Sequence, residues 1–114
     1  MSEQTFENLE EASMNFDIEY VTLFLKRIVL LIESGFSETE CKQVQNRLER
    51  MEHDEELEVG RFDIVYQKQK TTLIINAFMD SPESPDIYIY TKPGFAGRIQ
   101  EEMSRFADEI EDGY

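Results

Sequence analysis

Residues 62–79 read FDIVYQKQKTTLIINAFM, two apolar runs around a polar centre. Phe62, Ile64 and Tyr66 alternate with Asp63, Val65 and Gln67. Leu73, Ile75, Ala77 and Met79 alternate with Ile74, Asn76 and Phe78. A period of two sends alternate side chains to opposite faces of a strand. Lys68 to Thr71 then predicts the turn of a β-hairpin. Downstream, Asp80-Ser-Pro-Glu-Ser-Pro-Asp86 predicts a loop, because its prolines cannot donate to a ladder. Ile87 to Thr91 predicts a third strand, ended by a Lys92-Pro-Gly-Phe-Ala-Gly turn. Ile99, Met103, Phe106 and Ile110 recur on one side of a final helix.

Upstream the period is helical. Residues 17–34, DIEYVTLFLKRIVLLIES, predict a helix with Asp17 as N-cap and Gly35 as the αL stop. Its apolar residues cover most of the circumference, so it reads as the buried helix. Ser37-Glu38-Thr39-Glu40 fits a capping box, which opens a second helix. Cys41, Val44, Leu48 and Met51 give that helix one narrow apolar stripe. The predicted order is ααβββα, an α+β fold with an antiparallel meander and helices packed on one face. Residues 1–114 read as a single domain. Residues 1–15 read as a flexible or loosely docked arm, in which Phe6 and Leu9 could form a short helix or a docking contact.

The formal net charge is −14, from 25 acids against 11 bases. Such an excess repels nucleic acid and anionic membranes and favours a basic partner. The plainer explanation is that acidity only keeps a small protein dissolved. The longest apolar stretch, Ile28 to Ile32, is far too short for a membrane span. The N-terminal MSEQTFENLEEAS is acidic and does not read as a signal peptide, so a cytoplasmic location is expected.

Chemistry-bearing motifs are missing from the sequence. It has no Walker loop, GxGxxG, CxxC or HExxH. The single cysteine, Cys41, reads as a small buried thiol, and the single histidine, His53, as a solvated helix end. Asp54-Glu55-Glu56-x-Glu58 and Asp80-x-x-Glu83-x-x-Asp86 do not fit an EF-hand loop. The expectation is therefore no catalytic residue, no cofactor and no metal site.

Topology gives the acids a predicted place. If the first meander strand runs up, the second runs down and the third up. The acids of residues 52–58, the loop acids of 80–86 and the helix-end acids of 108–112 then share one pole. Lys68, Lys70, Lys92 and Arg98 fall at the opposite end. Tyr88 and Tyr90 alternate with Ile87 and Ile89 and share one sheet face. The expected partner-binding set is Asp54, Glu55, Glu56, Glu58, Asp80, Glu83, Asp86, Tyr88 and Tyr90. Exposed tyrosines also simply suit a β surface, so the tyrosines alone do not decide the matter.

In size, acidity and helix-plus-meander layout the chain resembles the immunity proteins of bacterial toxin systems, of the contact-dependent growth inhibition type. The likeness spans the whole chain and rests on general character, so no family residue is carried over. It implies an inhibitor that binds a basic cognate toxin, a nuclease acting on RNA or DNA. Two other classes fit the acidity: a phage-type DNA mimic or anti-defence protein, and a small metal-dependent enzyme built on clustered carboxylates. A nucleic-acid or membrane partner is not expected.

Overall fold

The computed structural model describes residues 9–81 and 83–112. Seven elements follow in order: β1 (Glu10–Asn15), α1 (Ile18–Leu31), α2 (Glu38–Arg50), β2 (Glu56–Tyr66), β3 (Gln69–Phe78), β4 (Asp86–Thr91) and α3 (Pro93–Glu111). The strands form one antiparallel sheet in the order β1-β4-β3-β2. The α+β class and the β2-β3-β4 meander are as the sequence predicts.

Of the expected arm, residues 10–15 are a strand of the sheet. Residues 10–15, EEASMN, form an edge strand against β4, with Ala12 opposite Ile89 and Asn15 opposite Asp86. This stretch has no β-branched residue, so local propensity gives no hint of it. Tertiary contacts hold it instead. The Gln100 side chain on α3 accepts from the Ser13 amide at 3.1 Å and donates to the Ser13 carbonyl at 3.3 Å. That amide occupies the outer edge of β1, where a bare strand would invite pairing with another chain. The expectation for residues 1–8, Phe6 included, falls outside the described residues.

Helix α1 follows Asp17, whose carbonyl accepts from Val21, though its side chain makes no cap bond. The helix ends at Leu31, earlier than the Ser34 expected, because the next residues pair with β2. Glu33 donates its amide to the Val65 carbonyl at 2.8 Å, and Val65 donates to the Ser34 carbonyl at 3.0 Å. The Glu33 carboxylate then accepts from the amides of Gln67 and Lys68, at 2.9 and 2.7 Å. These two residues form the hairpin turn, tighter than the predicted Lys68–Thr71, with Tyr66 paired to Gln69. Both carry positive φ, 52° and 66°, as a two-residue hairpin turn requires. Neither is glycine, so the carboxylate offsets the backbone strain.

The capping box of α2 is present, with Ser37 and Glu40 bonded in both directions. In β2 a bulge between Glu58 and Gly60 turns Val59 and Gly60 both inward. Beyond it the two-residue alternation resumes. All three helices pack on one face of the sheet. The core joins Val21, Phe24, Leu25 and Ile28 of α1 to Leu73, Ile75, Ala77, Ile87 and Ile89 of the strands. Phe106 of α3 anchors the helix layer, edge-on to Phe16 with ring centroids 5.3 Å apart and beside Phe24 at 5.7 Å.

An ionic cluster also ties α3 to α1. Glu102, a nearly buried carboxylate, lies near Arg98, Arg105 and Arg27, the last at 3.6 Å. Arg27 also grips Glu109 through two hydrogen bonds and covers the Phe106 ring at 4.7 Å. The hydrogen bond from Arg98 is the main reason the Glu102 carboxyl sits below the usual carboxylate range, and burial opposes it. A carboxyl depressed on folding stabilises the protein above its unfolded value, and that contribution is lost as pH falls through the folded value. Glu102→Gln is therefore expected to cost about 1–2 kcal/mol at neutral pH. The gap between the two proteins should close on acidification through and below the ordinary carboxylate range. A gap independent of pH in urea titrations would count against the charge of Glu102 as the cause.

Candidate functional site: the bare face of the sheet

Among the described residues the helices occupy one face of the sheet, and alternate strand residues are left uncovered on the other. The register sets these residues in three rows across all four strands. The first is Asn15, Asp86, Phe78 and Glu56; the second is Ser13, Tyr88, Asn76 and Glu58; the third is Glu11, Tyr90, Ile74 and Arg61. The two central strands supply Phe78, Tyr88, Tyr90 and Ile74. The outer strands supply Glu11 on one side and Glu56 and Glu58 on the other. The result is an aromatic centre with an acidic border. Phe78, Tyr88 and Tyr90 are half-buried, while Glu11, Glu56 and Glu58 are exposed.

Half of these twelve residues bond to one another through their side chains. Tyr90 donates its hydroxyl to Glu11 at 3.1 Å. Glu58 holds Arg61 through two hydrogen bonds, at 2.7 and 3.1 Å. Asp86 accepts from the Asn15 side chain at 2.8 Å. Asn76 Oδ1 is shut off from solvent and has no hydrogen-bond donor. The field over the face is negative. Partial burial and then the charges of Asp86, Glu11, Glu56 and Asp80 push the Tyr88 hydroxyl up from its ordinary value. Burial and Glu11 do the same to Tyr90.

The expected site residues divide into groups. Glu56, Glu58, Asp86, Tyr88 and Tyr90 come together on the bare face. Asp54, Glu55 and Asp80 lie along its lower border. There the Asp54 amide donates to the Met79 carbonyl and the Met79 amide to the Glu55 carbonyl, each at 2.8 Å. Glu55 turns its carboxylate back to the Glu52 amide. Glu83 sits by the start of α1, where its carbonyl accepts from the Ile18 amide at 3.1 Å. Of the acids at the end of α3, Glu109 is bound to Arg27. Of the single pole expected from the sequence, Glu56, Glu58 and Asp86 thus lie on the sheet face, while Glu109 is taken up by Arg27.

Glu11, Phe78, Asn76 and Ile74 join the face without belonging to the expected set. The same alternation that sends Leu73 and Ile75 inward sends the β3 residues of this group outward, so they are legible in the sequence. Glu11 is not, because its strand is not.

A larger hollow of about 570 Å³ lies at the hairpin end, among Leu9, Asp63, Lys70, Thr71, Thr72 and Lys92. Its lining mixes charges without converging catalytic groups. The lysines there set the hairpin end apart in charge from the acidic face. Elsewhere, His53 is exposed and lies 3.5 Å from the Asp54 carboxylate. Burial pushes the Cys41 thiol up to about 11, which leaves it unreactive. Among the described residues no three His, Cys, Asp or Glu side chains are placed to hold a metal ion. None of the described helices is long and apolar enough to cross a membrane. No protein-family model, curated protein or solved structure matches the chain.

Proposed function

We propose that this chain is a binding protein that neutralises a basic protein partner on the bare face of its sheet. In its specific form, the partner is a nuclease toxin and the chain is the immunity protein that blocks it. One observation carries the reading: the uncovered face has aromatic residues at its centre and carboxylates at its border. Aromatic residues concentrate at the cores of protein interfaces, where they bury much area at little entropic cost. The carboxylates suit the basic cleft in which a nuclease holds phosphates. They also accelerate encounter with a cationic surface.

The test is a nuclease-protection assay with the purified protein and the purified products of its neighbouring genes. The expected result is inhibition of one such nuclease at low salt, weakening steeply as salt rises. If none is inhibited, the toxin reading fails. Inhibition that is indifferent to salt would remove the acidic face as the docking surface.

A further inference from the structure

The bare face contains a recess of about 290 Å³ lined by Glu56, Phe78, Tyr88 and Tyr90. We propose that this recess is a socket for a single arginine side chain presented by the partner, held between aromatic rings and the Glu56 carboxylate. The inference rests on the reading above and adds the chemistry of the contact. Three aromatic rings line the recess, and their faces attract a cation. A carboxylate at the wall can accept two parallel N–H bonds from a guanidinium. An ammonium is compact and strongly hydrated, and neither stacks flat on a ring nor forms that fork.

The surroundings favour the same occupant. Asp86, Glu11 and Asp80 lie close enough to act on the Tyr88 hydroxyl. The one cation of the three rows, Arg61, is held by Glu58. Asn76 neighbours the recess, opposite Tyr88 in the register and two residues from Phe78.

The probe is a capped tetra-arginine peptide, followed by the NMR signals of the Phe78, Tyr88 and Tyr90 rings and the Asn76 side-chain amide. Tetra-lysine carries the same charge, and tetra-citrulline keeps the shape without it. Tetra-arginine is expected to shift these signals saturably and to bind about tenfold tighter than tetra-lysine, while tetra-citrulline does nothing. Glu56→Gln and Tyr88→Leu should each weaken tetra-arginine by about tenfold, the weight of one charge-assisted or stacked contact. Should Tyr88→Leu fail to fold, Glu56→Gln decides alone. Equal binding of tetra-lysine, or shifts spread over the helix acids, would overturn the socket. The peptide assay needs no toxin, so the two readings fail separately. Peptide binding without nuclease protection defeats only the partner reading. Protection that survives both substitutions defeats only the socket.

Discussion

Replacing Glu11, Glu56, Asp80 and Asp86 by their amides should slow association with the basic partner about a hundredfold at low salt, within the range that electrostatic steering supplies. The four residues are chosen because their charges all act on Tyr88, at the centre of the bare face. Each replacement keeps shape and an accepting oxygen, so Asn15 can still donate to residue 86 and Tyr90 to residue 11. Surface changes of this kind shift stability by about 0.5 kcal/mol or less. The control replaces Glu19, Glu38, Glu101 and Glu111 by Gln. These residues stand on the helices, behind the sheet, and change the net charge equally. Stopped-flow association rates decide the matter. If both variants slow equally, bulk charge explains the steering and the face has no special part in it. If only the first slows, the location of the charge matters.

The legible parts of this molecule are those in which local pattern and tertiary environment agree. Leu73, Ile75 and Ala77 alternate because one side of β3 is buried, and the sequence records that burial directly. The capping box at Ser37 is equally local, since its partners lie three residues apart. The hidden parts are held from a distance. Strand β1 depends on β4, Gln100 and the Asn15–Asp86 contact, residues 71 or more positions away. Helix α1 stops at Leu31 because β2 claims the backbone of Glu33 and Ser34, and residues 32–34 alone do not signal this.

For the candidate site, the same division applies. Tyr88 and Tyr90 are legible as a pair on one face because they alternate with Ile87 and Ile89. The acids grouped with them by topology are placed only as well as the topology itself. The meander is present, so Glu56, Glu58 and Asp86 fall beside the tyrosines. A plain return of α3 would leave its last acids at the same pole, but its side chains reach across to α1. Arg27 therefore takes Glu109 into an ionic cluster, and the pole loses that acid. Arg27 thus fastens α1 to α3.

Gly35→Ala should cost the largest share of stability of any substitution considered, about 3–5 kcal/mol against a total of about 5–15 kcal/mol for a domain of this kind. Gly35 has a φ of 101°, a region that side chains with a Cβ rarely adopt. A Cβ there would meet the Asp63 carbonyl oxygen at 2.1 Å and Ile64 Cα at 2.7 Å. Both obstacles are backbone of β2, so no side chain can swing aside. Relief requires the 33–35 segment to lift from the strand, breaking the paired bonds between Glu33, Ser34 and Val65. The Glu33 carboxylate would then also leave the amides of Gln67 and Lys68, whose positive φ values it offsets. Gly97→Ala is the matching control. Gly97 lies within α3, and a methyl group added there would meet nothing within 4 Å, so alanine should stabilise by about 0.5–1 kcal/mol through helix propensity. Urea unfolding of the two variants should therefore move in opposite directions. A Gly35→Ala protein as stable as the parent would mean that the bridge between residue 34 and residue 65 contributes little. The hairpin turn would then need another source of support than Glu33.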